Sequence, residues 1–413
     1  MKTTTKNIIY LVMVQGLIYL APLITLPYLT RTLDVDDFAA LGFAQAIVQY
    51  FILLTDYGFG ITATRLIALD SSNKQAVSDV VANTLAVKLL LACLSALICL
   101  LLGISFADVR HYRMLLLACF VGVLGNALFP VWLFQGLEKM RVLAIITSLS
   151  RLLPLPFVFW LVKRPEDVVT AAVLQNIPGI LAALLTYAYV QKNHLVSSAP
   201  ISVSSVKAML TEGWPVFLSN ISTSFYTTIN IILLKFFAGA EQVAYFAATD
   251  KLRVAAQGFI QPVASALFPR IAALGAEPQA WPEVRRLIRR GALFLLGIQL
   301  AGGLVLFCFA DMIALHYLGA KFQPAAIYLK ALAFLPLVIG VATIISQWRF
   351  LALGQSRILS RIYVFAGPAH ALYAAYLTWK WQSTGLIASL YLTEIMITLA
   401  MMVAAKRKGM RLW

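Results

Sequence analysis

The sequence predicts an all-α membrane protein of about twelve transmembrane helices in two lobes of six, with both termini on the cytoplasmic side. Three observations carry that expectation: a shortage of charge, the lengths of the apolar runs, and the distribution of the basic residues between them. Of the 413 residues, 61% are apolar and only 12% are charged, and the mean hydropathy is +0.85. A soluble domain carries about 25% charged residues. The deficit follows if most of the chain sits in hydrocarbon, where a charged side chain at mid-depth costs a few kcal/mol or more. The net charge of +16 does not point to nucleic acid, because binding there needs a soluble basic face. Retention of Lys and Arg at a cytoplasmic membrane surface explains the excess instead.

A hydrocarbon core about 30 Å thick needs about 20 helical residues to cross. On that measure the first lobe places spans at 7–30, 38–62, 81–106, 112–136, 143–162 and 169–190. The second places them at 214–238, 244–268, 291–315, 326–350, 359–380 and 384–405. The run after Lys2 and Lys6 is too long for a signal-peptide core and lacks a small-residue cleavage site, so it reads as the first span. Gln191 to Gly213, with its Ser197-Ser198-Ala199-Pro200 stretch, is the longest polar connection and reads as a cytoplasmic linker between lobes 1–190 and 214–405. A basic tail, 406–413, closes the chain. With the N-terminus inside, the cytoplasmic segments hold most of the 33 basic residues, Arg285, Arg286, Arg289 and Arg290 among them. That bias fixes the expected orientation.

The two halves resemble each other weakly. Thr30 to Leu69 lies over Leu234 to Ala273 without a gap, matching Arg31 with Lys235, Asp37 with Glu241, and Ile67-Ala68 with Ile271-Ala272. Six spans return a chain to the same side of the membrane, so such a repeat is parallel, about an axis along the membrane normal.

Catalytic and metal chemistry find no constellation here. The cysteines (Cys93, Cys99, Cys119, Cys308) lie in apolar runs without metal-ligand spacing, and the histidines (His111, His194, His316, His370) are dispersed. No Gly-x-x-x-x-Gly-Lys phosphate loop is present, so neither a cofactor, a metal nor an enzymatic activity is expected.

The informative residues are polar groups placed where lipid rejects them. Asp250 and Arg253 fall roughly 12–17 Å into the eighth span. With Gln257 and Gln261 they share about 80° of helical arc. Two readings are open: an Asp250–Arg253 ion pair fastening helices together, or a polar face lining a cavity. The second span carries a matching stripe, Gln45, Gln49 and Asp56, and Gln49 aligns with Arg253. Two such faces in equivalent helices imply an aqueous cleft between the lobes. Lys88 and Arg151 lie within reach of it or of the interface. Glu394, at the middle of the last span, cannot reach water by stretching. It needs a partner or a cavity, and is the candidate proton or cation site together with Asp250. Prolines recur through the spans (Pro22, Pro27, Pro130, Pro154, Pro156, Pro178, Pro262, Pro269, Pro336 and Pro368), each removing a backbone hydrogen bond.

The segment Pro27-Tyr28-Leu29-Thr30-Arg31-Thr32-Leu33, then Tyr50 to Phe59 with its Asp56-Tyr57-Gly58-Phe59, then Ala63-Thr64-Arg65 resembles the Wzx-type O-antigen flippases. These are polysaccharide transporters of the superfamily that includes the multidrug exporters. The specific match covers roughly the first seventy residues, and the two-lobed layout extends it across the chain. What the resemblance implies is a flippase that moves undecaprenyl-diphosphate-linked oligosaccharide across a bacterial inner membrane. It implies alternating access, coupling to an H+ or Na+ gradient, and polysaccharide polymerase machinery as a partner. Arg253, with Arg151 and Lys88, would neutralise the diphosphate, while Gln45, Gln49, Gln257 and Gln261 serve sugar hydroxyls. The lipid II flippases of the superfamily carry arginines inside the first span. Here that span has only Gln15 in its inner part and Arg31 at its outer end, so no phosphate site transfers there. The alternatives are a cation-coupled multidrug exporter, which would favour acidic cavity residues, and a membrane glycosyltransferase or polymerase, which would need an acidic catalytic group at a membrane face.

Overall fold

The structure, a computed structural model, describes residue 16 and residues 20–105, 112–258, 260–275 and 278–408. Gln15 and most of the inner half of the expected first span, His111, and the tail beyond Lys408 lie outside the described residues. Regular structure among the described residues is helical throughout, as hydrocarbon demands of a backbone that must satisfy its own hydrogen bonds. Among the described residues, eight helices are long and apolar enough to cross a membrane, and a ninth candidate, Val203–Thr227 with Ile229–Phe237, is bent by 41°.

Several apolar stretches are built from two segments, and proline explains four of the breaks. Arg113–Leu128 gives way to Val131–Gly136 at Pro130, and Met140–Leu152 to Leu155–Leu161 at Pro154. Val168–Asn176 meets Pro178–Lys192, and Pro336 stands in the first turn of Leu335–Ile345. A different device breaks the second span. Val35–Asp56 ends where Tyr57 (φ 43°) and Gly58 (φ 86°) turn left-handed, and Phe59–Leu69 begins directly after. Glycine tolerates that conformation where other residues do not. Its lack of a side chain matters too, since a Cβ on Gly58 would stand 2.6 Å from the Val216 side chain. Tyr57 stacks on Phe217 with ring centroids 4.8 Å apart. The Asp-Tyr-Gly-Phe run is therefore a kink seated on the helix that carries Gly213, Val216 and Phe217. The equivalent stretch of the second half is also built in two pieces, Ala240–Gln257 and Ile260–Gly275.

The last helix, Ser356–Arg407, runs for 52 residues. A straight helix of that length would span about 78 Å, far beyond the bilayer. It is broken at Gln382 (φ 51°, ψ −134°), which lies between the two expected final spans. The Gln242 side chain clamps the turn, donating to Gln382 Oε1 at 2.6 Å and accepting from the Ser383 amide at 3.0 Å.

The chain divides into two compact units, one of residues 1–21 and Thr32–Ile221, the other of Pro22–Arg31 and Ser222–Trp413. The boundary therefore differs from the expected linker. Residues 191–213 belong to the first unit, become helical from Val203, and are tied down by Ser197 and Ser202 amides donating to Ser78 Oγ and Asn83 Oδ1, each at 2.8 Å. Residues 22–31, part of a helix over 20–32, belong to the second unit. There Thr30 Oγ1 donates to the Leu318 carbonyl at 2.6 Å, Arg31 donates to the His316 carbonyl, and the Tyr317 hydroxyl donates to the Leu23 carbonyl. His316, Tyr317 and Leu318 all belong to a π-helical turn, Ile313–Leu318, whose last carbonyls lack a helical partner and are left to accept.

Within the first unit, Gly125 and Gly179 bring two helices into backbone contact. A Cβ on Gly125 would lie 2.7 Å from the Gly179 Cα. Gly125→Ala is expected to lower the melting temperature of the detergent-solubilised protein, with overpacking costing about 1–3 kcal/mol. Gly103→Ala, which meets nothing within 4 Å, should leave it unchanged. Equal melting of the two variants would show that the seam is not tight.

Asp167 fixes the turn ahead of Val168–Asn176, its Oδ2 accepting from the amides of Lys163 and Arg164 at 2.8 and 2.9 Å.

Candidate functional site: polar clusters inside the spans

Each unit holds a cluster of polar groups within its apolar helices. In the first, Lys88 on Lys74–Ser105 is 2% exposed, and its ammonium lies 3.5 Å from Asp56 Oδ1. The same ammonium donates to Asn126 Oδ1 at 3.4 Å, which also accepts from Thr55 Oγ1 at 3.4 Å. Asp56 is 38% exposed, so the carboxylate covers the lysine and presents itself to the surroundings. Asp56 occupies the last turn before the Tyr57-Gly58 kink, where the helix direction changes and places it over Lys88. The stripe expected on the second span is thus divided in its contacts. Gln45 donates to Gln175 Oε1 at 3.1 Å, Gln49 is exposed, and Asp56 pairs with the buried lysine. Arg151 is half-buried in the last turn of Met140–Leu152, where the helix dipole favours a cation. Nothing among the described contacts joins it to the other groups.

The second unit gathers more of the expected residues. Arg253 donates from Nε to Asp250 Oδ1 at 2.7 Å and from Nη1 to Gln257 Oε1 at 2.5 Å. The ion pair of the first reading is present, with Arg253 13% and Asp250 22% exposed. Gln261 lies past the break at Gly258. It donates to Ser265 Oγ at 3.3 Å and accepts from Gln347 Nε2 at 3.1 Å. Glu394 is half-buried and within electrostatic reach of Arg253 and of Tyr226, Tyr363 and Tyr373. Folding therefore gives Glu394 a basic neighbour at a distance, while Arg253 itself is paired with Asp250.

One group escaped the sequence analysis. His370 is completely buried. Its Nδ1 lies 2.6 Å from Thr393 Oγ1 and its Nε2 lies 3.0 Å from Asn230 Oδ1. The Tyr373 hydroxyl reaches the same Thr393 oxygen at 2.5 Å. In the sequence the cluster is legible only as Tyr363, His370 and Tyr373 recurring on one helical face. Among the described residues no group of three or more His, Cys, Asp or Glu could hold a metal ion.

Buried charges and polar clusters within long apolar helices define a multi-pass helical membrane protein, and its fold resembles solved membrane-protein structures. The chain matches an inward-facing MATE-family multidrug resistance transporter of the MOP superfamily with a TM-score of 0.71 at 18% identity, covering 98% of both chains. It matches the lipid II flippase MurJ, in an inward closed conformation, with a TM-score of 0.72 at 12% identity, covering 98% of this chain and 86% of that one. At such identities the likeness concerns the fold. Sequence goes further: the polysaccharide biosynthesis protein family profile matches residues 4–274. A Shigella dysenteriae protein named as a candidate O-antigen transporter is 38% identical over 97% of this chain and 100% of its own length. An Escherichia coli K12 protein of the same name is 29% identical over 96% and 95%. The chain belongs to the polysaccharide biosynthesis protein family, and its relatives are named as transporters.

Proposed function

We propose that this protein is a flippase that carries undecaprenyl-diphosphate-linked oligosaccharide, an O-antigen unit or a similar repeat, from the cytoplasmic to the periplasmic leaflet of a bacterial inner membrane. About twelve spans in two lobes, with both termini cytoplasmic, would alternate in access to the two sides, driven by an H+ or Na+ gradient. The observation that carries this reading is the accessible Asp250–Arg253–Gln257 array in the second unit, with Glu394 in electrostatic reach of the arginine. A diphosphate and its sugars cannot enter hydrocarbon unshielded. A guanidinium can exchange a neighbouring carboxylate for a diphosphate while keeping charge-assisted hydrogen bonds. Gln45, Gln49, Gln257 and Gln261 would serve sugar hydroxyls and the lipid tail would stay in the bilayer. Arg151 would add positive charge, and Lys88 would act through Asp56, which covers it. Glu394 and Asp250 are the ion-coupling candidates, and polysaccharide polymerase machinery is the partner expected downstream.

Deletion of the gene is expected to remove long-chain surface polysaccharide and to accumulate lipid-linked repeat units, with both defects reversed by complementation. Normal polysaccharide combined with altered drug resistance would overturn the reading in favour of a multidrug exporter.

A further inference from the structure

The buried His370 cluster lies outside the residues proposed to hold substrate, and its hydrogen bonds admit two proton counts. Asn230 spends its amide hydrogens on the Tyr226 and Thr227 carbonyls, at 2.9 and 3.3 Å. Its Oδ1 is therefore an acceptor, and His370 Nε2 must carry a hydrogen. Nδ1 is then free to be bare or protonated. When it is bare, Thr393 donates to Nδ1 and accepts from the Tyr373 hydroxyl. When it is protonated, Nδ1–H donates to Thr393 Oγ1, and the Thr393 hydrogen turns to the Ser389 carbonyl, which already lies 2.6 Å away. Thr393 Oγ1 still accepts from Tyr373, using its second lone pair. Every polar atom of the cluster is satisfied in both states, with no heavy atom displaced. A purely structural histidine needs one such arrangement, and this cluster is built for two.

We propose that His370 is a proton-carrying group of the second unit, loaded and unloaded through Thr393 and Tyr373. This inference rests on the ion-coupled flippase reading and names the ion as H+. In the loading step Tyr373 passes its hydroxyl proton to Thr393, Thr393 passes its own to Nδ1, and Tyr373 recovers one from a hydronium ion, leaving water, so one proton is gained and no bond other than O–H and N–H changes. Other titratable or charged groups on the surrounding elements include Tyr363, Tyr391 and Glu394 on the same long helix, Tyr226 on Val203–Thr227 and Lys235 on Ile229–Phe237. Arg253 on Ala240–Gln257 reaches Glu394 electrostatically, and Arg349 lies in the π-helical turn Ser346–Leu351. Leu335–Ile345 contributes none. Tyr226 meets the imidazole edge-on, with ring centroids 6.4 Å apart. Tyr373 is in electrostatic reach of Glu394, which connects the cluster to the Arg253 array.

The test has two arms. The full-length protein, labelled with [15N]histidine and held in lipid nanodiscs, is followed by ring 15N shifts between about pH 4 and pH 9. One signal, missing in His370→Gln, should begin as the Nε2–H tautomer and gain a second proton as pH falls. In the second arm His370→Gln, Thr393→Val and Thr393→Ser are expressed in the deletion strain. The first two should reduce surface polysaccharide at least tenfold at unchanged membrane abundance, and Thr393→Ser, which keeps the hydroxyl, should restore it. A His370 signal fixed in one protonation state would overturn the proposal, as would full polysaccharide with His370→Gln or Thr393→Val. Failure of the wild-type gene to complement would sink the flippase reading instead, and the spectra would still decide whether His370 takes up a proton.

Discussion

Arg253→Ala is expected to abolish long-chain surface polysaccharide in the complementation assay while the protein remains in the membrane. Arg253 is the shared donor of its cluster. Without it, Asp250 loses a 2.7 Å charge-assisted contact, Gln257 loses its donor, and Glu394 loses the positive charge that acts on it. Arg253→Lys keeps the charge but not the planar fork that addresses two acceptors at once, and should restore only part of the activity, roughly a tenth. Lost polysaccharide could also follow from an unpaired Asp250, so Asp250→Asn with Arg253→Ala is the control, relieving that charge without replacing the guanidinium. The double variant should stay inactive. Full polysaccharide in either alanine variant would remove Arg253 from the transport path.

The second large effect lies in the first unit. Asp56→Asn leaves the Lys88 ammonium, 2% exposed, with neutral partners only. Stripping the counter-charge from a buried cation costs about 3–5 kcal/mol, less whatever deprotonation recovers. The partial exposure of Asp56 puts this case at the lower end of that range. Asp56→Asn should therefore lower membrane abundance and melting temperature sharply. Lys88→Met removes the buried charge and leaves a carboxylate that water reaches, so its effect on stability should be smaller. Combining the two should recover most of the stability lost by Asp56→Asn. If the double variant melts no higher than Asp56→Asn alone, the contact is not a charge pair, and its 3.5 Å separation reflects mere proximity. Surface polysaccharide measured on the stable double variant then separates the transport role of Asp56 from its structural one.

Much of this was legible in the chain before folding. Hydropathy and length located the apolar helices because a helix is a local structure whose burial is written in consecutive residues. The polar stripe at Asp250, Arg253 and Gln257 was visible for the same reason, since i, i+3 and i+4 neighbours meet on one helix whatever surrounds it. The Asp56-Tyr57-Gly58-Phe59 run identified a family by resemblance, but its mechanical meaning, two left-handed residues kinking a span, came from φ angles that the residue types permit without requiring. Lys88 was read as a group near a cleft. Its burial beneath Asp56 depends on a neighbouring helix 32 residues away in the chain.

By itself, then, the sequence determined a multi-pass helical membrane protein, because charge scarcity, run length and local helical spacing are properties of consecutive residues, and its residue-by-residue match determined the polysaccharide biosynthesis family. Tertiary structure alone decided where the units divide, placing residues 22–31 with the second unit and 191–221 with the first. It alone assembled His370 from partners 140 and 23 residues distant. Hydrogen bonds such as Thr30 to Leu318 carry a separation of 288 residues. No periodicity encodes such a distance, since it arises only when helices pack and each buried polar atom must find a partner in whatever lies beside it.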